Sequence, residues 1–150
     1  MTPINEKVVA SKVETIRRMI RGIGTLPLAS EEEFTADFRM ISGGESMLRR
    51  ALEALLDLGR HILAKGFSSS VVEYKQIGKS LGENHVLSPE HVTLLVQMAG
   101  YRNRLTHFYD EVTPEELYKI LTTRIPDIES VLDEILQWLR SNPELIDRSL

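Results

Sequence analysis

Arg102, Asn103, Arg104 and His107, with Tyr101 and Tyr109, fall inside the ten residues YRNRLTHFYD. Histidine titrates near neutral pH and can give or take a proton within a reaction. Arginine stays charged and presents a planar fork that grips phosphate. Asparagine can orient either group by hydrogen bonding. Such a set suits phosphodiester cleavage without a metal. In RNA the neighbouring 2′-hydroxyl is a nucleophile already in place; a histidine moves its proton, and an arginine stabilises charge growing on the phosphorus oxygens. The same residue types also cap and pack helix ends, so composition leaves the chemical and the structural readings both open.

Position along a helix narrows the choice. Ser88 followed by Pro89 reads as an N-cap and first helical residue. From Pro89, at about 100° per residue, Leu94, Leu95, Met98, Tyr101 and Leu105 fall on one apolar arc. Arg102 lies inside that arc, where an unpaired charge would be costly. His107 lies nearly opposite, about 140° from Arg102 on an ideal helix, while Asn103 and His107, four apart, share a face. Arg102 and His107 can therefore meet on one ligand only if the helix ends near Leu105 or a second copy of the chain supplies the missing half.

The rest of the chain reads as helices that carry this one. Apolar residues recur at helical spacing and no convincing strand appears. A first helix is expected over residues 5–21, broken by GIGTLPLAS. Ser30 followed by three glutamates starts a short helix to about Arg39. Ser42-Gly43-Gly44-Glu45 reads as a capping box opening a long helix that ends at Gly66. After FSSS, a shorter helix is expected from about Val71 to Leu81. Thr113-Pro114-Glu115-Glu116 starts the last long helix, from Leu117 to Leu139, which Pro126 should kink or break. Residues 141–144 suggest a terminal turn. The sum is an all-α, antiparallel bundle of four main helices plus short ones, in a single domain over residues 1–150.

Composition limits the function classes. Of the 150 residues 42% are hydrophobic and 27% charged, which is ordinary for a globular chain. Cysteine is absent, so disulfides and thiolate metal sites are excluded and a reducing cytoplasm is the natural setting. There is no signal-peptide core and no apolar run long enough to cross a bilayer. A net charge of −4 argues against non-specific coating of nucleic acid, though not against a small basic pocket. The clusters Arg17, Arg18 and Arg21; Arg49 and Arg50; and Arg60, His61 and Lys65 read as solvated helix faces. The four histidines have no metal-ligand spacing, and no phosphate-binding glycine loop or nucleophile elbow appears. No metal or cofactor is expected.

The spacing of RNRLTHFY resembles a known signature. Arg102, four residues, His107, one residue and Tyr109 look like the motif of HepT-type toxins in the HEPN superfamily, and arginine followed by a polar residue is the broader HEPN pattern. Residues 51–121 are similar throughout to that family, and the first helix and EEEFTADFRMISGGESMLRRAL resemble its entry. The resemblance implies a helical homodimer, with the arginine and histidine of both chains lining one cleft. It implies Arg102 and His107 as the catalytic pair of a metal-independent ribonuclease, with Asn103 in support and Arg104 adding positive charge for RNA. It implies a partner too, an MNT-type nucleotidyltransferase antitoxin that silences the toxin by adding AMP to Tyr109, in a type VII toxin–antitoxin pair. Negative phosphate placed beside the cleft would oppose RNA binding there.

Two other readings stand beside this one. A non-catalytic HEPN-like module would grip nucleotide or protein with the same residues, and a plain bundle would have only structural roles. The plain bundle requires Arg102 to be neutralised by a core acid and His107 to point into bulk solvent away from any second chain. Gly59 and Gly100, inside helical patterns, each cost roughly 1 kcal/mol against alanine; close helix approach, within one chain or between two, would explain them. Trp138 reads as core rather than as a base-stacking platform.

Overall fold

Asn5 starts the first helix. Its Oδ1 accepts the N–H groups of Lys7 at 2.9 Å and Val8 at 3.2 Å, satisfying two of the donors that a helix start leaves open. The structure is a computed structural model and describes residues 3–107 and 112–148. The chain forms α1 (Glu6–Ile23), α2 (Glu31–Thr35), α3 (Phe38–Gly66), α4 (Tyr74–Glu83), α5 (Pro89–Thr106), α6 (Pro114–Thr123) and α7 (Ile125–Ser141). This is the expected all-α bundle. Each of the other helices packs on α3, whose Leu48, Leu52, Leu55, Leu58, Ile62 and Leu63 are fully buried or nearly so.

Several starts form as the sequence indicates. Ser30 caps α2, Ser88 caps α5 with Pro89 in the first turn, and Thr113 caps α6. The long helix differs. Ser42 lies inside α3, and Asp37 is the cap, its Oδ1 accepting the Arg39 N–H at 2.9 Å. The Arg39 side chain binds the same carboxylate and holds it below the usual range. Gly43 and Gly44 therefore ride within the helix. At Gly44 a Cβ would stand 2.8 Å from Leu121 Cδ1 and 3.3 Å from both Leu26 and Phe34, so this glycine permits a close approach that offsets its poor helix propensity. The helix after FSSS begins at Tyr74, three residues later than expected. The last helical stretch is two helices, divided at Arg124 just ahead of Pro126.

Two short strands were not legible. β1 (Ile4–Asn5) and β2 (Ile146–Asp147) pair in parallel, with Ile4 opposite Ile146; two residues are too few to show an alternating pattern. Gly59 serves packing within the chain: a Cβ there would meet Ile77 at 2.8 Å and Leu81 at 3.0 Å, both on α4. A Cβ at Gly100 would have nothing within 4 Å. Trp138 packs at the edge of the core, its ring 5.5 Å from that of Phe67.

β1 is held by a histidine. The Asn5 N–H donates to His61 Nε2 at 3.1 Å, so that nitrogen carries no proton in the fold. Burial, then the charges of Lys65 and Lys12, hold this imidazole below its ordinary 6.5. A group so lowered binds fewer protons folded than unfolded. Its contribution to stability is complete above pH 6.5 and is lost as pH falls from there through the folded-state pKa. The urea midpoint should fall between about pH 7 and about pH 5, and fall less in His61→Gln, which cannot titrate. Equal slopes in the two proteins would remove His61 from this role.

Candidate active site

The motif lies where α5 ends. Thr106 closes the helix, its hydroxyl bonding back to the Asn103 carbonyl at 3.0 Å. His107 follows in extended backbone, φ −111 and ψ 121, exposed at the helix cap. Leaving the helix removes the four-residue relation that would have put His107 on the face of Asn103. Tyr109 lies outside the described residues.

Arg102 is held by an aromatic face more than by acids. Its Cζ lies 4.6 Å from the centroid of the Tyr74 ring, a distance at which a cation is attracted to the ring. Among the described residues Glu53 is the acid paired with it, 3.9 Å from Nε, and Glu53 is already hydrogen-bonded by Arg49 at 2.8 Å. Asn103 Oδ1 accepts a long bond, 3.4 Å, from Arg102 Nη1. Arg102 Nε is buried with no hydrogen-bond partner. Glu53, itself half-buried, is thus shared between Arg49 and Arg102, and Arg102 lines the edge of a cleft.

That cleft, about 360 Å³, is lined by Arg60, Val72, Glu73, Tyr74, Lys75, Arg102 and Asn103. The Tyr74 hydroxyl donates to Asp57 Oδ1 at 2.8 Å. Burial, then that bond and the charge of Asp57, push the phenol up, so it stays neutral.

Arg104 points elsewhere. Both of its terminal nitrogens bind Glu116, at 2.6 and 2.8 Å, and these bonds hold the Glu116 carboxyl below its usual range. A bidentate pair of this exposure contributes up to about 1 kcal/mol. Arg104→Ala should lower stability by about that much and slow RNA cleavage less than tenfold, roughly, where Arg102→Ala costs 10²-fold or more. Equal losses would put Arg104 on the reacting phosphate.

Among the described residues Arg102 and His107 line different cavities. His107 lines another, of about 430 Å³, with Phe38, Glu45, Arg104, Leu105, Thr106, Val112 and Pro114. The helix does end near Leu105, yet this alone does not bring the pair together.

Arg60, Tyr74 and Lys75 escaped the sequence reading, which took Arg60 for a solvated face. A signal existed. From residue 51 to 63 of α3 every side chain is buried except Glu53, Asp57, Arg60 and His61. The first three recur at four and three residues, a polar line on a helix that is otherwise core. Among the described residues no group of three or more His, Asp or Glu converges as metal ligands do, and no helix is long and apolar enough to cross a membrane.

A family model described as Ribonuclease HepT-like matches residues 13–135. The tRNA nuclease HepT of Aphanizomenon flos-aquae is 24% identical over 139 residues, which cover 93% of this chain and 95% of that protein. The mRNA nuclease HepT of Shewanella oneidensis is 23% identical over 128 residues, covering 85% and 96%. The fold matches the tri-AMPylated Shewanella oneidensis HEPN toxin solved in complex with MNT antitoxin, with a TM-score of 0.79, 23% identity, and coverage of 87% of this chain and 97% of that one. It also matches YutE, a cytosolic protein of unknown function from Bacillus subtilis, with a TM-score of 0.80, 16% identity and 99% of each chain covered. The family model spans most of the sequence, motif included, and the chain belongs to the HepT-like ribonuclease family.

Proposed function

We propose that this chain is the toxin of a type VII toxin–antitoxin pair. It is a cytoplasmic, metal-independent endoribonuclease that cleaves RNA in a cleft between two copies of itself. An MNT-type nucleotidyltransferase silences it by adding AMP to Tyr109. The observation that carries this reading is the state of Arg102. Its guanidinium is seated on the Tyr74 ring at a cleft edge, no carboxylate among the described residues hydrogen-bonds it, and it lies five residues before an exposed histidine. The nuclease names of the two relatives and the AMPylated, antitoxin-bound state of the structural neighbour support the same reading.

The chemistry follows from the residue types. A base takes the proton of the RNA 2′-hydroxyl, whose oxygen bonds to the adjacent phosphorus; the bond from phosphorus to the 5′-oxygen breaks, and that oxygen takes a proton. His107, meeting Arg102 of the other copy, would take the first proton and return it to the leaving oxygen. Arg102 stabilises the charge that peaks on the phosphorus oxygens, with Asn103 orienting its fork. Arg104 adds a cation to the RNA-facing end of α5, with most of its charge offset by Glu116.

The test is incubation of purified protein with total cellular RNA in chelator, after its intact mass has shown it free of AMP. Cleavage by wild type but not by His107→Ala establishes the reading. An unmodified dimer that binds RNA and cuts none of it makes the chain a binding module instead.

A further inference from the structure

Arg60 is outside the motif, yet it stands beside Arg102. Its Cζ lies 4.7 Å from the centroid of the same Tyr74 ring that supports Arg102 at 4.6 Å. Two guanidiniums that share a ring repel one another, and something must hold them there. The ring face offsets part of this repulsion. Asp57 offsets another part, but it is shared among the Tyr74 hydroxyl, Arg60 at 3.5 Å and Lys12 at 3.9 Å. Arg60 Nη2 donates to the Val72 carbonyl at 2.6 Å. Arg60 Nε, like Arg102 Nε, is buried with no hydrogen-bond partner. Lys75, exposed in the first turn of α4, brings a third cation to the same cleft, against Glu73. Three cations line one cleft, an arrangement suited to an anion with several oxygens.

We infer that Arg60 and Lys75, around the Tyr74 ring, form a second phosphate subsite, which takes the RNA backbone phosphate next to the one served by Arg102. The placement fits, since the two guanidiniums are held by one ring and line one cleft. The chemistry fits as well: a site that grips the strand away from the reacting atoms fixes its register without touching the nucleophile. The inference rests on the ribonuclease reading above.

Binding is the direct test, in His107→Ala protein so that the RNA survives. A fluorescent single-stranded RNA is titrated by anisotropy across a salt series, with Lys75→Gln or Arg60→Gln added, while wild type is assayed for cleavage alongside. Each substitution should weaken binding roughly three- to tenfold at low salt and reduce the slope of log affinity against log salt by about 0.7, the share of one phosphate contact to a single strand. Lys75 is exposed, so Lys75→Gln decides the matter even if Arg60→Gln disturbs Tyr74. Unchanged affinity and slope, with wild type cleaving RNA, overturn the subsite and leave the ribonuclease reading standing. Reduced slopes with a wild type that cuts nothing keep the subsite as a nucleic-acid grip and remove the ribonuclease reading.

Discussion

Arg102→Ala and His107→Ala proteins, each inactive alone, should recover roughly a quarter of the wild-type cleavage rate when refolded together, against losses of about 10²-fold or more in either alone. The argument is geometric. In one chain Arg102 lines the cleft with Tyr74, and His107 lines a different cavity with Phe38. A site that draws its arginine from one chain and its histidine from the other brings the two together. In a mixed dimer the Arg102→Ala copy still carries His107 and the other copy still carries Arg102. One arginine and one histidine then meet, while the opposite pair is lost. Random exchange makes about half the dimers mixed, each with about half its functional groups. Neither substitution should unfold the chain, because His107 is exposed and Arg102 fills no core position. Mixtures as dead as their parents, with exchange verified by mass, would mean that each chain builds its own site.

The helices that position this motif were largely legible because their starts are local chemistry. Ser30, Ser88 and Thr113 each accept a backbone N–H three residues on, and only a side-chain oxygen at that spacing is needed. Ser42 failed for the same reason. Serine with glutamate three residues later satisfies the pattern anywhere, and a second cap, Asp37, stood five residues upstream. Packing settled the choice: with α3 begun at Phe38, Gly44 comes against Leu121 and Phe34, a contact no local signal announces.

The site was legible in part. The motif names Arg102 and His107, but spacing cannot say which of Arg102 and Arg104 has a free fork. That depends on Glu116, twelve residues on in the first turn of α6, which binds both terminal nitrogens of Arg104. Likewise Tyr74 and Lys75 come from α4 and Arg60 from α3, brought together only by packing at Gly59, where Ile77 and Leu81 seat α4. Gly59 and Gly100 look alike in sequence. The first is consumed by this helix contact, whereas the second faces open space.

Tyr109→Phe should give a toxin that its antitoxin cannot silence. With the MNT-type enzyme and ATP, wild type should gain the mass of one or more AMP units and lose cleavage in step; the variant should gain none and keep at least about half its rate. The step is a phosphoryl-group transfer in which the tyrosine oxygen attacks the α-phosphorus of ATP, pyrophosphate leaves, and the phenol proton passes to a base of the antitoxin. Phenylalanine keeps the ring and removes the only atom able to form that bond. Silencing needs no change of fold. Each adenylyl group carries a phosphate anion to the end of α5, two residues beyond His107, where Arg102 and the neighbouring cations would otherwise receive RNA. Modification of Tyr109→Phe at full stoichiometry would assign silencing to another hydroxyl. Loss of cleavage in the unmodified variant would instead make the Tyr109 oxygen part of the ribonuclease site.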